Sequence, residues 1–314
     1  MPPDRALREG RAKARAAGRS RQDTRNRTKT PGVRVREGVR SSVPRLCHGA
    51  LHGAVPARSA LWQIPHLMAT TQREEAPAEG ARCAVRPRLN DPAELDGLVT
   101  RLRENVRPTQ REDFVRGALL PDGRLDLCKQ TLGPEGVAVV ADALRGNTAV
   151  NALLLGANQA GPEGGRAVAR LLRAPSSLEA VYLGCNQLGP EATADLAAAV
   201  SGHATVRQLW LKRNAVGDEG ARALAAALVH TPGLRTLDLV SDGLTAAGVD
   251  ALAEALARPG AGLAHLFLDG NALGLAGAEA VARMLRAGPS LHTLSLGCNA
   301  LGDGAGGTQC QTDD

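Results

Sequence analysis

Apolar positions in this chain recur every 28 residues. Leu125, Leu153, Val181, Leu209, Leu237, Leu266 and Leu294 form one column, with a single 29-residue step after Leu237. Two residues later runs a second column of Leu127, Leu155, Leu183, Leu211, Leu239, Leu268 and Leu296. Alternation with period 2 predicts a short strand in each unit, its leucines pointing inward and the residue between them pointing the other way. A third column, Gln130, Asn158, Asn186, Asn214, Asp242, Asn271 and Asn299, predicts a turn whose side-chain amides satisfy backbone groups left unpaired by the coil. Leu132, Ala160, Leu188, Val216, Leu244, Leu273 and Leu301 follow, again all apolar.

The pattern then changes period. Gly-Pro-Glu at 133–135, 161–163 and 189–191, or Gly-Asp-Glu at 217–219, predicts a helix start. Proline suits the first helical turn, and the acid complements the positive end of the helix. In the fourth unit Ala221, Leu224, Ala225 and Leu228 hold the i, i+3, i+4, i+7 stripe of a helix buried on one face. One column in that stripe, Ala141, Ala169, Ala197, Ala225, Ala253 and Ala282, is always alanine, and close approach of helix to strand accounts for it fully.

The two ends differ. Residues 91–105, DPAELDGLVTRLREN, predict a capping helix with Asp91 as N-cap and Pro92 in the first turn. After Leu301 the pattern is abandoned in mid-unit, so the seventh strand is expected to lack both a helix behind it and a neighbour on its open edge. In the sixth helix Ala278, Val281, Ala282 and Leu285 are expected to face inward. A chain that continues with further repeats, or an end covered by a partner or by self-association with a second copy, would each answer the exposed core; continuation fits the broken pattern best.

The motif L-x-x-L-x-L-x-x-N-x-L with a full helix in 28–29 residues resembles the ribonuclease-inhibitor type of leucine-rich repeat, as in Ran GTPase-activating proteins and NLR sensor regions. The resemblance spans roughly residues 120–305 and implies an α/β solenoid, a horseshoe with parallel strands on the concave face and helices on the convex face. It implies a fold and no single activity. The expected domains are a disordered basic segment at 1–67, a linker with the capping helix at 68–119, and the solenoid at 120–314, seven repeats with the last incomplete.

Charge separates the first of these from the rest. Residues 1–67 hold 15 Lys/Arg against four Asp/Glu, while the remainder is net acidic. Arginine-dense sequence without apolar periodicity predicts disorder. Nucleic acid is one candidate partner for it, through phosphate neutralisation, although no aromatics interleave the arginines to stack on bases. A leader translated ahead of Met68 is the other reading. No secretory core and no membrane-spanning run is present, and the six cysteines form no CxxC pair or zinc spacing. A reduced, cytoplasmic setting is expected, with Cys185 and Cys298 as thiols at tight turns.

The outward residue of each strand carries the one functional signal. Its column reads Asp126, Leu154, Tyr182, Trp210, Asp238, Phe267 and Ser295, and it holds three of the five aromatics in the chain. Tyr and Trp dominate interface energetics, although aromatics also favour strands and pack on one another. With Gln208, Lys212, His265 and Asp269 on the flanks, the pattern predicts a protein-recognition surface of aromatic anchors and polar surround at Leu154, Tyr182, Gln208, Trp210, Lys212, Asp238, His265, Phe267 and Asp269. No catalytic, cofactor-binding or metal-binding residue is expected. His265 and Asp269 lie four residues apart on an extended strand, about 13 Å, too far to share a metal or relay a proton. The expected function is a non-enzymatic scaffold for a protein partner. The resemblance also admits a GTPase activator, with polar residues such as Lys129, Lys212 and Arg213 on the loops after the strands.

Overall fold

The computed structural model describes residues 34–36, 91–287 and 290–302. They belong to the unit Val33–Asp314; the other unit, Met1–Gly32, lies outside the described residues. Each expected strand is present: β4 (Arg124–Asp126), β5 (Ala152–Leu154), β6 (Ala180–Tyr182), β7 (Gln208–Trp210), β8 (Thr236–Asp238), β9 (His265–Phe267) and β10 (Thr293–Ser295). All seven pair in parallel with no slip between repeats, so Leu125, Leu153, Val181, Leu209, Leu237, Leu266 and Leu294 stand side by side. Register is held because a one-residue slip would turn every leucine out of the core. Both leucine columns are buried.

Six helices return the chain between these strands: α2 (Gly133–Ala143), α3 (Gly161–Arg173), α4 (Gly189–Val200), α5 (Gly217–Leu228), α6 (Ala246–Leu256) and α7 (Gly274–Arg286). The glycine that opens five of them has positive φ, 65° at Gly133 and 61° at Gly217, which sets the sharp entry from strand to helix without a Cβ penalty. In the α6 unit Thr245 takes that place at φ −109°; its hydroxyl caps Ala247 N and donates to Asp218 of the preceding repeat. This is an α/β leucine-rich repeat solenoid: one layer of parallel strands, one of helices, and a core of leucine, valine and alanine between them.

Asparagine does what its column predicts, in every repeat where it occurs. Asn186 Nδ2 donates to the carbonyls of Leu183 in its own repeat and Leu155 in the one before, each at 2.8 Å. Its Oδ1 accepts from the backbone N–H groups of Asn158 and Ala160. Asn158, Asn214, Asn271 and Asn299 repeat the donor pattern, forming a buried ladder along the solenoid.

At the N-terminal end a 3-10 turn, Pro92–Leu95, leads into α1 (Asp96–Glu104). Asp91 caps the turn by accepting from Ala93 N at 2.9 Å. Leu95, Leu98 and Leu102 close the core of the first repeat. A hairpin absent from the expectations, β2 (Glu112–Asp113) with β3 (Ala118–Leu119), extends the sheet antiparallel to β4. Arg116, almost fully buried, ties it to the cap through Glu94 at 2.8 Å, and Arg101 adds a pair with Glu112 at 2.8 Å.

The other end departs from expectation in three ways. The open edge of β10 is paired: β1 (Arg34–Arg36) runs parallel to it, with Val35 at the level of Leu294. That strand also departs from the disorder expected across residues 1–67, the rest of which lies outside the described residues. Leu294 and Leu296 are buried, and the pairing of β1 with β10 removes the unpaired edge as a reason for self-association. Third, the buried stripe of α7 is Gly277, Ala280, Val281 and Met284. Ala278, Ala282 and Leu285 are only half-buried, and no helix follows α7 among the described residues to cover that side.

Candidate functional site

The outward residues of the strands lie in one row across the open face of the sheet. Leu154, Tyr182, Trp210, Asp238, Phe267 and Ser295 are successive register partners, so the sequence column is a physical line. The pattern predicts accessible anchors here. Instead, Leu154, Tyr182 and Trp210 form a hydrophobic cluster of their own, with Cys128 and Phe267 packed against it. Tyr182 is 5 % exposed and Trp210 8 %. The side chains lie along the sheet and cover one another, as cross-strand aromatic neighbours can.

Room for this comes from glycine. A Cβ at Gly156, on the repeat before, would collide with Tyr182 Cε1, and one at Gly184 would come within 2.8 Å of Tyr182 Oη. The glycines at 156 and 184 therefore let the phenol lie flat. Lys212 completes the cover, its Nζ 6.0 Å from the centre of the Tyr182 ring, a cation–π contact at the outer limit of the useful range. The column Cys128, Gly156, Gly184, Lys212, Val240, Asp269, Gly297 held the signal for this arrangement: its smallest members flank the tyrosine.

Trp210 leans the other way. Its ring stacks on Phe267 with centroids 5.7 Å apart and planes 22° from parallel, although β8 lies between their strands. Strands two apart in a sheet are separated by about 9.6 Å, so the rings bridge over Asp238, the residue between them in the row. Trp210 Nε1 donates to Gln208 Oε1 at 3.3 Å. Asp238 is 4 % exposed, and its Oδ1 accepts from Val240 N at 3.0 Å. Burial pushes its carboxyl up to about 6, with a further push from Asp269 and an opposing pull from Val240 N–H and Lys212.

His265 on β9 and Asp269 just beyond its end flank Phe267, and both are engaged toward β10 rather than toward each other. His265 Nδ1 and Thr293 Oγ1 are 3.1 Å apart, and Asp269 Oδ1 accepts from Ser295 Oγ and Gly297 N at 2.8 Å each. Burial and the nearby His292 ring lower the pKa of His265. The row thus gathers Leu154, Tyr182, Gln208, Trp210, Lys212, Asp238 and Phe267 into one contiguous patch, with His265 and Asp269 at its margin. Lys212, His265, Phe267 and Asp269 are half-buried and form its accessible part.

Chemistry at the patch is quiet. Burial pushes the Cys128 thiol up to about 12, so it is a thiol and not a nucleophile at neutral pH. No three His, Cys, Asp or Glu side chains gather as a metal site among the described residues. Cys185 is a free thiol at φ 60°, as its turn predicts. Cys298, in the same LGCN context, is disulfide-bonded and departs from the thiol expected there.

A leucine-rich repeat family model matches residues 202–225, which span β7 and most of α5. The chain carries leucine-rich repeats. No curated protein matches it. Among solved structures, leiomodin-1 actin-binding site 2 is similar at a TM-score of 0.43 and 17% sequence identity, over 52% of this chain and 88% of that one. No helix among the described residues is long and apolar enough to cross a membrane.

Proposed function

We propose that this leucine-rich repeat protein is a non-enzymatic scaffold of the ribonuclease-inhibitor type that binds a partner protein across the open face of its sheet. The row Tyr182–Trp210–Phe267 carries this reading. It is a continuous aromatic strip on the face that no helix covers among the described residues, and the polar groups of Gln208, Lys212, Asp238, His265 and Asp269 surround it. Interfaces favour that combination of an aromatic centre and a polar rim. Tyr182, Trp210 and Leu154 form the packed floor, preorganised by their mutual contacts, so a partner meets them at little cost in side-chain entropy. Phe267, Lys212, His265 and Asp269 make the first contacts.

Affinity capture from the native source tests the assignment with the full chain, using Phe267→Ala and Lys212→Glu on the sheet face and Arg222→Glu on the outer face of α5. A partner retained by the wild type and by Arg222→Glu, and lost from the two sheet-face variants, supports the proposal. Loss only from Arg222→Glu moves the site to the helices. Stimulated hydrolysis with a panel of small GTPases checks the alternative that the repeats serve a GTPase activator.

A further inference from the structure

The ladder column departs from asparagine twice, at Gln130 in the first repeat and at Asp242 in the fifth. Five repeats place asparagine in it, and the fifth repeat places Asp242. Its Oδ1 plays the part of the asparagine oxygen, accepting from Asn214 N at 2.6 Å. Its own N–H donates to Asn271 Oδ1 at 2.9 Å, so the backbone keeps the ladder geometry on both sides. Oδ2 is different. It is buried and has no hydrogen-bond partner, in a residue with 0 % exposure.

The neighbouring repeats show what Oδ2 faces. In each asparagine repeat the Nδ2 group donates to the leucine carbonyl of its own strand end and to that of the repeat before: Leu211 and Leu183 for Asn214, Leu268 and Leu239 for Asn271. The same geometry aims Asp242 Oδ2 at the carbonyls of Leu239 and Leu211. A carboxylate oxygen against carbonyl oxygens is repulsive and leaves acceptors unsatisfied; a carboxylic acid O–H in the same place donates to one of them. Among the described residues no cation pairs with this carboxyl. Asp238, at the end of β8, adds a like charge; the Lys212 and Arg213 side chains of the fourth repeat form no ion pair with Asp242, and Asp269 follows β9 in the sixth repeat.

We propose that Asp242 is held as a neutral carboxylic acid whose Oδ2–H donates to the carbonyl of Leu239 or Leu211, making the junction of the fourth and fifth repeats a proton-dependent joint in an otherwise pH-indifferent ladder. Burial, the largest influence, pushes the Asp242 carboxyl up to about 8, with hydrogen bonds from Asn214, Val216 and Ala215 N–H opposing it. The direction is that of a group whose folded form holds a proton that the unfolded chain releases near 3.8. Its stabilising contribution is complete below about pH 4 and is lost as pH rises through 8. The other shifted groups among the described residues leave a window between about pH 6.5 and pH 8. Asp238 is ionised above about 6, His203 and His265 are lowered by burial from their ordinary 6.5, and Cys128 is pushed up to about 12.

Urea unfolding of the full chain across that window is the test, with Asp242→Asn beside the wild type and Asp238→Asn as a control. The wild-type folding equilibrium constant should fall about tenfold for each pH unit. Asp242→Asn, which restores the ladder amide, should flatten that slope, and Asp238→Asn should leave it. Equal slopes in wild type and Asp242→Asn overturn the proposal. Infrared difference spectra of native wild type minus Asp242→Asn at pH 7 give a second readout that needs no unfolding. A carbonyl stretch of a protonated carboxylic acid supports the assignment, and its absence overturns it.

Discussion

Trp210 and Phe267 stack at 5.7 Å from strands that are not neighbours in the sheet, and Asp238 lies in the row between them. The stack shields the carboxyl from water, and this desolvation is the main reason its pKa is pushed up to about 6. Because the folded value lies above the ordinary 3.8, the stability the group allows is full below about pH 4 and is lost as pH rises to about 6. The loss amounts to about 3 kcal/mol. Trp210→Ala should lower the folded pKa of Asp238 toward the usual carboxylate range while costing about 3 kcal/mol of stability from lost packing. Carboxyl-detected NMR titration reads the first and urea unfolding the second. A destabilised variant with an unmoved Asp238 would separate the stack from the titration.

Gly156 and Tyr182 form a size-matched pair across two repeats, since a Cβ on the first collides with the ring of the second. Gly156→Ala should destabilise by about 1–3 kcal/mol through overpacking. In a Tyr182→Ala background the same change should cost much less, because the collision is gone. A double-mutant cycle with no coupling energy would show that the ring does not lie over the glycine.

Ala225 is buried on α5, in the column that is alanine in all six helices. Ala225→Leu should cost about 1–3 kcal/mol by forcing the helix away from the strand layer. A circular dichroism melt with no loss would argue against close helix–strand packing at this position.

The β10 edge supplies a further expectation. With β1 paired along it, deletion of residues 33–37 should speed amide exchange at the backbone N–H groups of Leu294 and Leu296 and leave exchange in β5–β7, and at Thr293 whose N–H donates to Ala264 O, unchanged. Exchange that is equal with and without the segment would show that the edge is held by something else.

Repetition made the solenoid legible. A period-2 pair of leucines, an asparagine and a helical stripe recur at a constant spacing, and seven copies of one local solution leave one way to stack them. Strand register, helix number, the Asp91 cap and the ladder role of asparagine all follow from that regularity. Only the tertiary structure decided what happens where the regularity breaks. Whether Tyr182 stands free or lies down depends on the space left by Gly156 in the repeat before and Gly184 in its own, and Trp210 lies against Phe267 two strands away, contacts that no single repeat contains. Arg116, hidden in an irregular hairpin with Glu94, has no periodic signal at all. Asp242 reads in sequence as a conservative neighbour of asparagine. It becomes a distinct chemical group only once burial removes the water that would have carried its charge, and two repeats present it with carbonyl oxygens where an amide should donate.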